Sequence, residues 1–185
     1  MLNFLIPLIV GFTFNSASTF TTLYSRRFGV RGGKLVSIIL RDMLGIPVWV
    51  LGYVMAIRTA SPQLFSPTLV SSILAWLFML VGAMIILAGL FSLRWRAAAP
   101  SVEDTLVTQG VYAYIRHPLY SGMLLELAGL VLWVPSLMVL IASILGWLWV
   151  MLQARLEEMD LVQRLPAYHA YMQEVPRFLP ERKSE

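Results

Sequence analysis

The 185-residue sequence contains no cysteine, which excludes disulfides, thiolate metal sites and a cysteine nucleophile. It has only two histidines, His117 and His169, too few for a multi-histidine metal centre, and no metal is expected. Charge is scarce: 13% of residues are Asp, Glu, Lys or Arg, about half of the ~25% usual in a soluble domain. From Met1 to Ser25 there is none. Apolar residues fill the space, at 58% of the chain and a mean hydropathy of +0.75. So much apolar surface has to face lipid, and the length suits one membrane domain. The net charge of +4 fits basic cytoplasmic loops better than a nucleic-acid partner, and none is expected.

The pattern predicts an all-α, polytopic membrane protein of about five transmembrane helices. A span needs about 20 mostly apolar residues. Met1–Ser25 supplies the first; lacking a basic n-region and a small-residue cleavage site, it reads as a retained span. Leu35–Ile57, interrupted by Arg41 and Asp42, supplies the second, and Thr68–Leu93 the third. Pro118–Trp133, short and containing Glu126, and Ser136–Ala154 follow as a hairpin turning at Pro135. Residues 1–93 then form a three-span region, and 94–185 a second region of polar loop, hairpin and cytosolic C-terminal helical segment. Arg26, Arg27, Arg31 and Lys34 lie in the first connection, only Arg58 in the second, and Arg94, Arg96 and Arg116 in the third. Basic residues mark the cytoplasmic side, so the N-terminus is expected outside and the C-terminus in the cytoplasm. The recurrent glycines within the spans, such as Gly82, Gly89, Gly122 and Gly129, suit close helix packing in lipid.

Two polar blocks break the apolar background: Leu106–Gly122, "LVTQGVYAYIRHPLYSG", and Arg155–Pro180, "RLEEMDLVQRLPAYHAYMQEVPRFLP". The hairpin between them brings both to one membrane face. The first resembles the "LV…G.Y…RHP.Y.G" signature of the isoprenylcysteine carboxyl methyltransferases and related phospholipid methyltransferases. The "EE", "Y..Y" (Tyr168, Tyr171) and "VPRFLP" of the second resemble the other half of that signature, so the resemblance covers roughly residues 90–181. Two features depart from the family pattern. "RLPAY" stands where a helix-ending "FG" is usual, and Glu126 stands where relatives carry an apolar or aromatic residue.

The resemblance implies S-adenosyl-L-methionine as cofactor and a site facing the cytoplasm. It implies Arg116, Glu158 and Arg177 as catalytic residues. Cofactor contacts are implied for Leu106, Val107, Gly110, Tyr112, Arg116, His117, Tyr120, Gly122, Glu157, Glu158 and Tyr171. Carboxylates suit the ribose diol or ammonium, the planar fork of Arg116 suits a carboxylate, and apolar side chains wall the adenine. Glu126 and Arg41 are expected on the acceptor side. An ionisable group inside the membrane normally faces the bundle interior and has a partner, and Arg41 is the cation available to Glu126.

Each residue also has a plainer role. Arg116 can anchor at the membrane boundary, His117 can precede a helix that starts on Pro118, and Glu157 and Glu158 can be a solvated helix face. Tyr168 and Tyr171 can be interfacial belt residues, and Arg177 can pair with lipid phosphate. The expected partners are the bilayer and a lipophilic or lipid acceptor, first among them a prenylcysteine-like carboxylate, with a phospholipid amine as alternative. Oligomeric state is not legible. The competing class is a small non-catalytic transporter or assembly factor; the inverted repeat of a transporter is not visible.

Overall fold

The computed structural model describes residues 2–94 and 101–180, so Arg96 lies outside the described residues. Among these the protein is helical, with one isolated β-bridge, Gln63 to Ser136. Helices α1 (Leu5–Ala17) and α2 (Thr21–Ile38) lead through a π-helical segment (Ile39–Gly45) into α3 (Ile46–Arg58). Then come α4 (Leu69–Leu93), a 3₁₀ turn (Gly110–Ala113), α5 (Pro118–Trp133), α6 (Leu137–Arg164) and α7 (Tyr168–Glu174).

Three helical runs are long and apolar enough to cross a membrane: Thr21–Arg58, Leu69–Leu93 and Leu137–Arg164. The protein is an integral membrane protein of apolar helices. α1 and α5 are apolar but shorter. At about 1.5 Å per residue, the 13 residues of α1 cover about 20 Å of a hydrocarbon core about 30 Å thick. The helix expected to continue to Ser25 stops at Ala17 because hydroxyls compete for its last carbonyls. Ser18 Oγ donates to the Asn15 carbonyl at 2.6 Å and Thr19 Oγ1 to that of Ser16 at 2.7 Å.

The expected connection Tyr24–Leu35 is helical, kinked at Gly29 (φ 73°), a conformation that side-chain-bearing residues rarely adopt. Pro47, just inside α3, has no N–H to give to the carbonyl four residues before it. The run absorbs this mismatch in the π segment, which carries Arg41 and Asp42. α6 continues ten residues past Ala154 before it ends at Arg164.

α4 and α5 pack most extensively, along a seam of glycines. A Cβ on Gly82 would lie 2.6 Å from the Gly122 carbonyl, and one on Gly122 would lie 2.5 Å from that of Gly82. Such backbone contact drives association in lipid, where burying apolar side chains between helices brings no gain over lipid contact. The outward face of α4 is bare and apolar, with Leu69 and Phe91 each 78% exposed. The other half of the bundle closes on α1, α3 and α6 around Phe4, Leu8, Phe12, Tyr53 and Trp149. Phe12 stacks on Trp149 at 4.5 Å between ring centroids.

The chain turns sort to two ends of the bundle. At one, Leu64 N–H donates to the Pro135 carbonyl (2.7 Å) and Leu137 N–H to that of Pro62 (2.9 Å). At the other lie both polar blocks and the ends of α1 and α4. We expect Gly122→Leu to lower stability by about 1–3 kcal/mol or more through overpacking of the α4–α5 seam. The lipid-facing Leu80→Ala should change it little. Thermal unfolding in detergent checks the pair, and equal melting temperatures would contradict the seam.

Candidate functional site

Two prolines shape the site. His117 precedes Pro118, which opens α5, and the residue before a proline is pushed out of the helical region; His117 sits at φ −124°, ψ 63°. The backbone N–H groups of Arg116 and His117 are thereby free to donate to the carbonyls of Pro176 (2.9 Å) and Arg177 (3.1 Å). Ser121 Oγ adds a bond to the Phe178 carbonyl at 2.7 Å. The two blocks that the sequence places on one face are therefore hydrogen-bonded to each other.

Glu158 lies where they meet. Its carboxylate, 6% exposed, accepts from Arg177 Nε (3.0 Å, Oε1) and Nη2 (2.5 Å, Oε2). Arg116 Nη2 lies 3.3 Å from Oε1, and His117 Nε2 lies 3.1 Å from the same oxygen. Arg116 is itself oriented by donating from Nη1 to the Met172 carbonyl at 2.8 Å. The bond to Glu158 raises the pKa of Arg177 further. The expected trio Arg116, Glu158 and Arg177 is brought together, but the Glu158 oxygens are taken up inside the protein.

Glu157, one residue earlier, is about 100° away around α6. It lines a cavity of about 410 Å³, where Tyr120 Oη donates to its Oε2 at 2.8 Å and His117 Nδ1 lies 3.9 Å from it. Leu106, Val107, Tyr112, Arg116, His117, Tyr120 and Tyr171 also line this cavity, as does Tyr168. Gly110 and Gly122 are placed elsewhere: Gly110 opens the 3₁₀ turn at φ 64°, and Gly122 packs in the α4–α5 seam. Tyr171 Oη donates to the Tyr112 carbonyl at 2.5 Å and locks the first block to α7.

Asn15, Ser18, Thr19, Thr21 and Asp42 also line this cavity and were not anticipated from the sequence; Arg41, expected on the acceptor side, lines it with them. Arg41 pairs with Asp42 through Nε–Oδ1 (2.7 Å) and Nη2–Oδ2 (3.0 Å). Its expected pairing with Glu126 is therefore replaced by a neighbour that the π turn places beside it, and Glu126 lines a different cavity. A second buried ion pair was also missed. Asp160 accepts from Thr22 N–H (3.0 Å) and Arg164 Nε (3.0 Å), and Arg164 Nη1 donates to the Ser101 carbonyl (2.7 Å). The i, i+4 spacing of Asp160 and Arg164 was the available signal.

The second cavity, about 520 Å³, lies within the bundle among α1, α3, α4, α5 and α6. Its walls are almost wholly apolar, with Glu126 among them. Trp49, Leu119, Met123 and Trp149 line both cavities, so the two adjoin at one shared wall. Trp49 and Trp149 stand 6.3 Å apart there, and Trp49 Nε1–H is buried without an acceptor among the described residues.

The family model of the isoprenylcysteine carboxyl methyltransferases matches residues 64–163, more than half of the chain. The chain belongs to the isoprenylcysteine carboxyl methyltransferase (ICMT) family. In broad class it is thus a membrane methyltransferase. The ICMT match takes in α4, α5, nearly all of α6 and the residues Arg116, His117, Glu157 and Glu158. The wall built from α1 and the π segment lies outside it, as do Tyr168, Tyr171 and Arg177. No curated protein and no solved structure matches the chain.

Burial pushes the hydroxyl of Tyr171 up to about 12 and raises those of Tyr112 and Tyr168 above the ordinary 10; for the latter two the carboxylate of Glu157 adds to the shift. A raised folded-state pKa stabilises below the unfolded value and is lost as pH climbs through the folded one. We expect stability to fall from about pH 10 towards pH 12, with ultraviolet titration showing these phenols ionising after exposed tyrosines. Tyr171→Phe should flatten that fall. Unchanged pH dependence in the variant would contradict the assignment.

Proposed function

We propose that the protein transfers a methyl group from S-adenosyl-L-methionine to a lipophilic acceptor, with the cofactor in the polar cavity and the acceptor's tail in the apolar one. The observation that carries this reading is the shared wall: a polar and an apolar chamber adjoin across Trp49, Leu119, Met123 and Trp149. A transporter or assembly factor has no need of that pairing.

The polar cavity fits the cofactor by its donor set. Glu157 offers a carboxylate for a ribose diol or ammonium, and Leu106, Val107 and Leu161 offer apolar surface for a base. Arg116 Nε and Tyr168 Oη are buried polar atoms without partners among the described residues, the sort of group a bound ligand satisfies. When bound, S-adenosylmethionine supplies an electrophilic methyl on a sulfonium, so a carboxylate acceptor needs no base from the protein. The protein's task is alignment and exclusion of water. The buried Glu158 cluster holds Arg116 and His117 rigidly at the cavity edge, with Arg177 as its outer clamp. Gly110 shapes the turn before Tyr112, and Gly122 sets the α5 position that carries His117 and Tyr120. The indole N–H of Trp49 stands at the shared wall to receive the acceptor's oxygen.

The acceptor that the family relation supports first is a prenylcysteine-like carboxylate. Val50, Val54 and Ile57 line the apolar chamber and are themselves 39–41% exposed, so a tail can enter sideways from lipid. Arg41 borders the polar side of the wall, where it can draw the acceptor's carboxylate. We place residues 94–185 as the catalytic region and 1–93 as the N-terminal membrane region, each of which lends walls to both cavities. Five crossings put the N-terminus outside and the site in the cytoplasm. The concentration of Arg26, Arg27, Arg31, Lys34, Arg94 and Arg116 at the site end supports that orientation.

S-adenosylhomocysteine should bind the wild type by calorimetry, and Glu157→Gln should weaken it by about 10–100-fold through loss of a charged hydrogen bond. Trp49→Phe should keep that affinity and lower kcat/KM for a prenylcysteine by about 10-fold. A wild type that neither binds S-adenosylhomocysteine nor transfers labelled methyl to prenylcysteines, lipid amines or thiols would refute the reading.

A further inference from the structure

The apolar chamber holds one carboxylic acid, and no described residue answers it. Glu126 is half-buried among hydrocarbon and aromatic walls and has no hydrogen-bond or ion-pair partner among the described residues. Tyr53, which lines the same chamber, has its hydroxyl committed to the Ala142 carbonyl at 3.0 Å. Arg41 is paired with Asp42 and lines the other cavity. Room for the side chain is built in: a Cβ on Gly82 would come within 2.9 Å of Glu126 Cγ. A carboxyl group at such a depth is costly unless something compensates it.

We infer that the compensating group belongs to the acceptor: Glu126 receives the ammonium of a lipophilic amine, most directly a prenylated amino acid whose α-amine is free. The inference rests on the methyl-transfer reading above. Side chains on a helix lean towards its N-terminus. From position 126 the carboxyl therefore leans towards Met123 and Leu119, the α5 residues of the shared wall. An α-amino acid carries its ammonium three bonds from its carboxylate oxygens. Both groups then fall at the wall together, the ammonium on Glu126 and the carboxylate on the free indole N–H of Trp49. An acceptor whose amine is capped, or absent, leaves Glu126 unanswered beside its tail.

The test compares two S-farnesylcysteines, one with a free α-amine and one N-acetylated, as acceptors of labelled methyl in lipid vesicles. The wild type should favour the free amine by about 10-fold or more in kcat/KM. Glu126→Gln should bring that ratio close to one while leaving S-adenosylhomocysteine affinity unchanged. Equal use of the two acceptors by the wild type, a result that needs no variant, overturns the inference and leaves the methyltransferase reading standing. So does a preference that survives in Glu126→Gln. Absence of both S-adenosylhomocysteine binding and transfer in the wild type overturns the reading and the inference with it.

Discussion

The Glu158 carboxylate, buried among Arg177, Arg116 and His117, is the contact through which both polar segments take their places. A carboxylate so deep needs its cations, and removing one partner of such a group typically costs about 3–5 kcal/mol. His117 is held out of helical geometry by Pro118, Arg116 precedes it, and Arg177 follows Pro176, so the three side chains meet at one point. The backbone bonds from Arg116 and His117 to Pro176 and Arg177 then follow at no further conformational cost. With Glu158 consumed in this way, its neighbour Glu157 is left to face the cavity.

The rest of the bundle solves a membrane problem, namely how helices associate when lipid is as apolar as their own side chains. One half uses backbone contact along the glycines of α4 and α5. The other uses aromatic stacking of Phe12 on Trp149 and a buried polar chain, with Trp149 Nε1 donating to Ser16 Oγ (3.1 Å) and Ser16 Oγ to Gln153 Oε1 (2.8 Å). That chain ties the end of α1 to α6 beside the polar cavity. α1 is thus a wall of the site as well as part of the core.

Much of this was legible in the sequence because the governing signals are short-range. The apolar runs located the helices, the break at Pro135 located the hairpin, and the two polar blocks contained the residues that meet at Glu158. The π segment was not legible, since Pro47 announces an interruption without saying whether a helix kinks, ends or widens. The division of labour between Glu157 and Glu158 was also hidden. It depends on the phase with which α6 arrives at the site, and adjacent positions on a helix face different surroundings. The partner of Glu126 was misread because Arg41 had a nearer carboxylate at Asp42, which local geometry favours over one on a distant helix.

The shared wall of the two cavities carries a kinetic consequence. On the proposed reading, one reactant is drawn from water and the other from the bilayer, and neither enters the other's solvent. The acceptor level that the enzyme senses is then a mole fraction in the membrane, set by lipid area and not by sample volume. Diluting vesicles with buffer would leave acceptor saturation unchanged, while adding inert lipid would lower it. A Michaelis constant quoted in molar units would therefore describe the preparation, and one quoted per lipid would describe the protein.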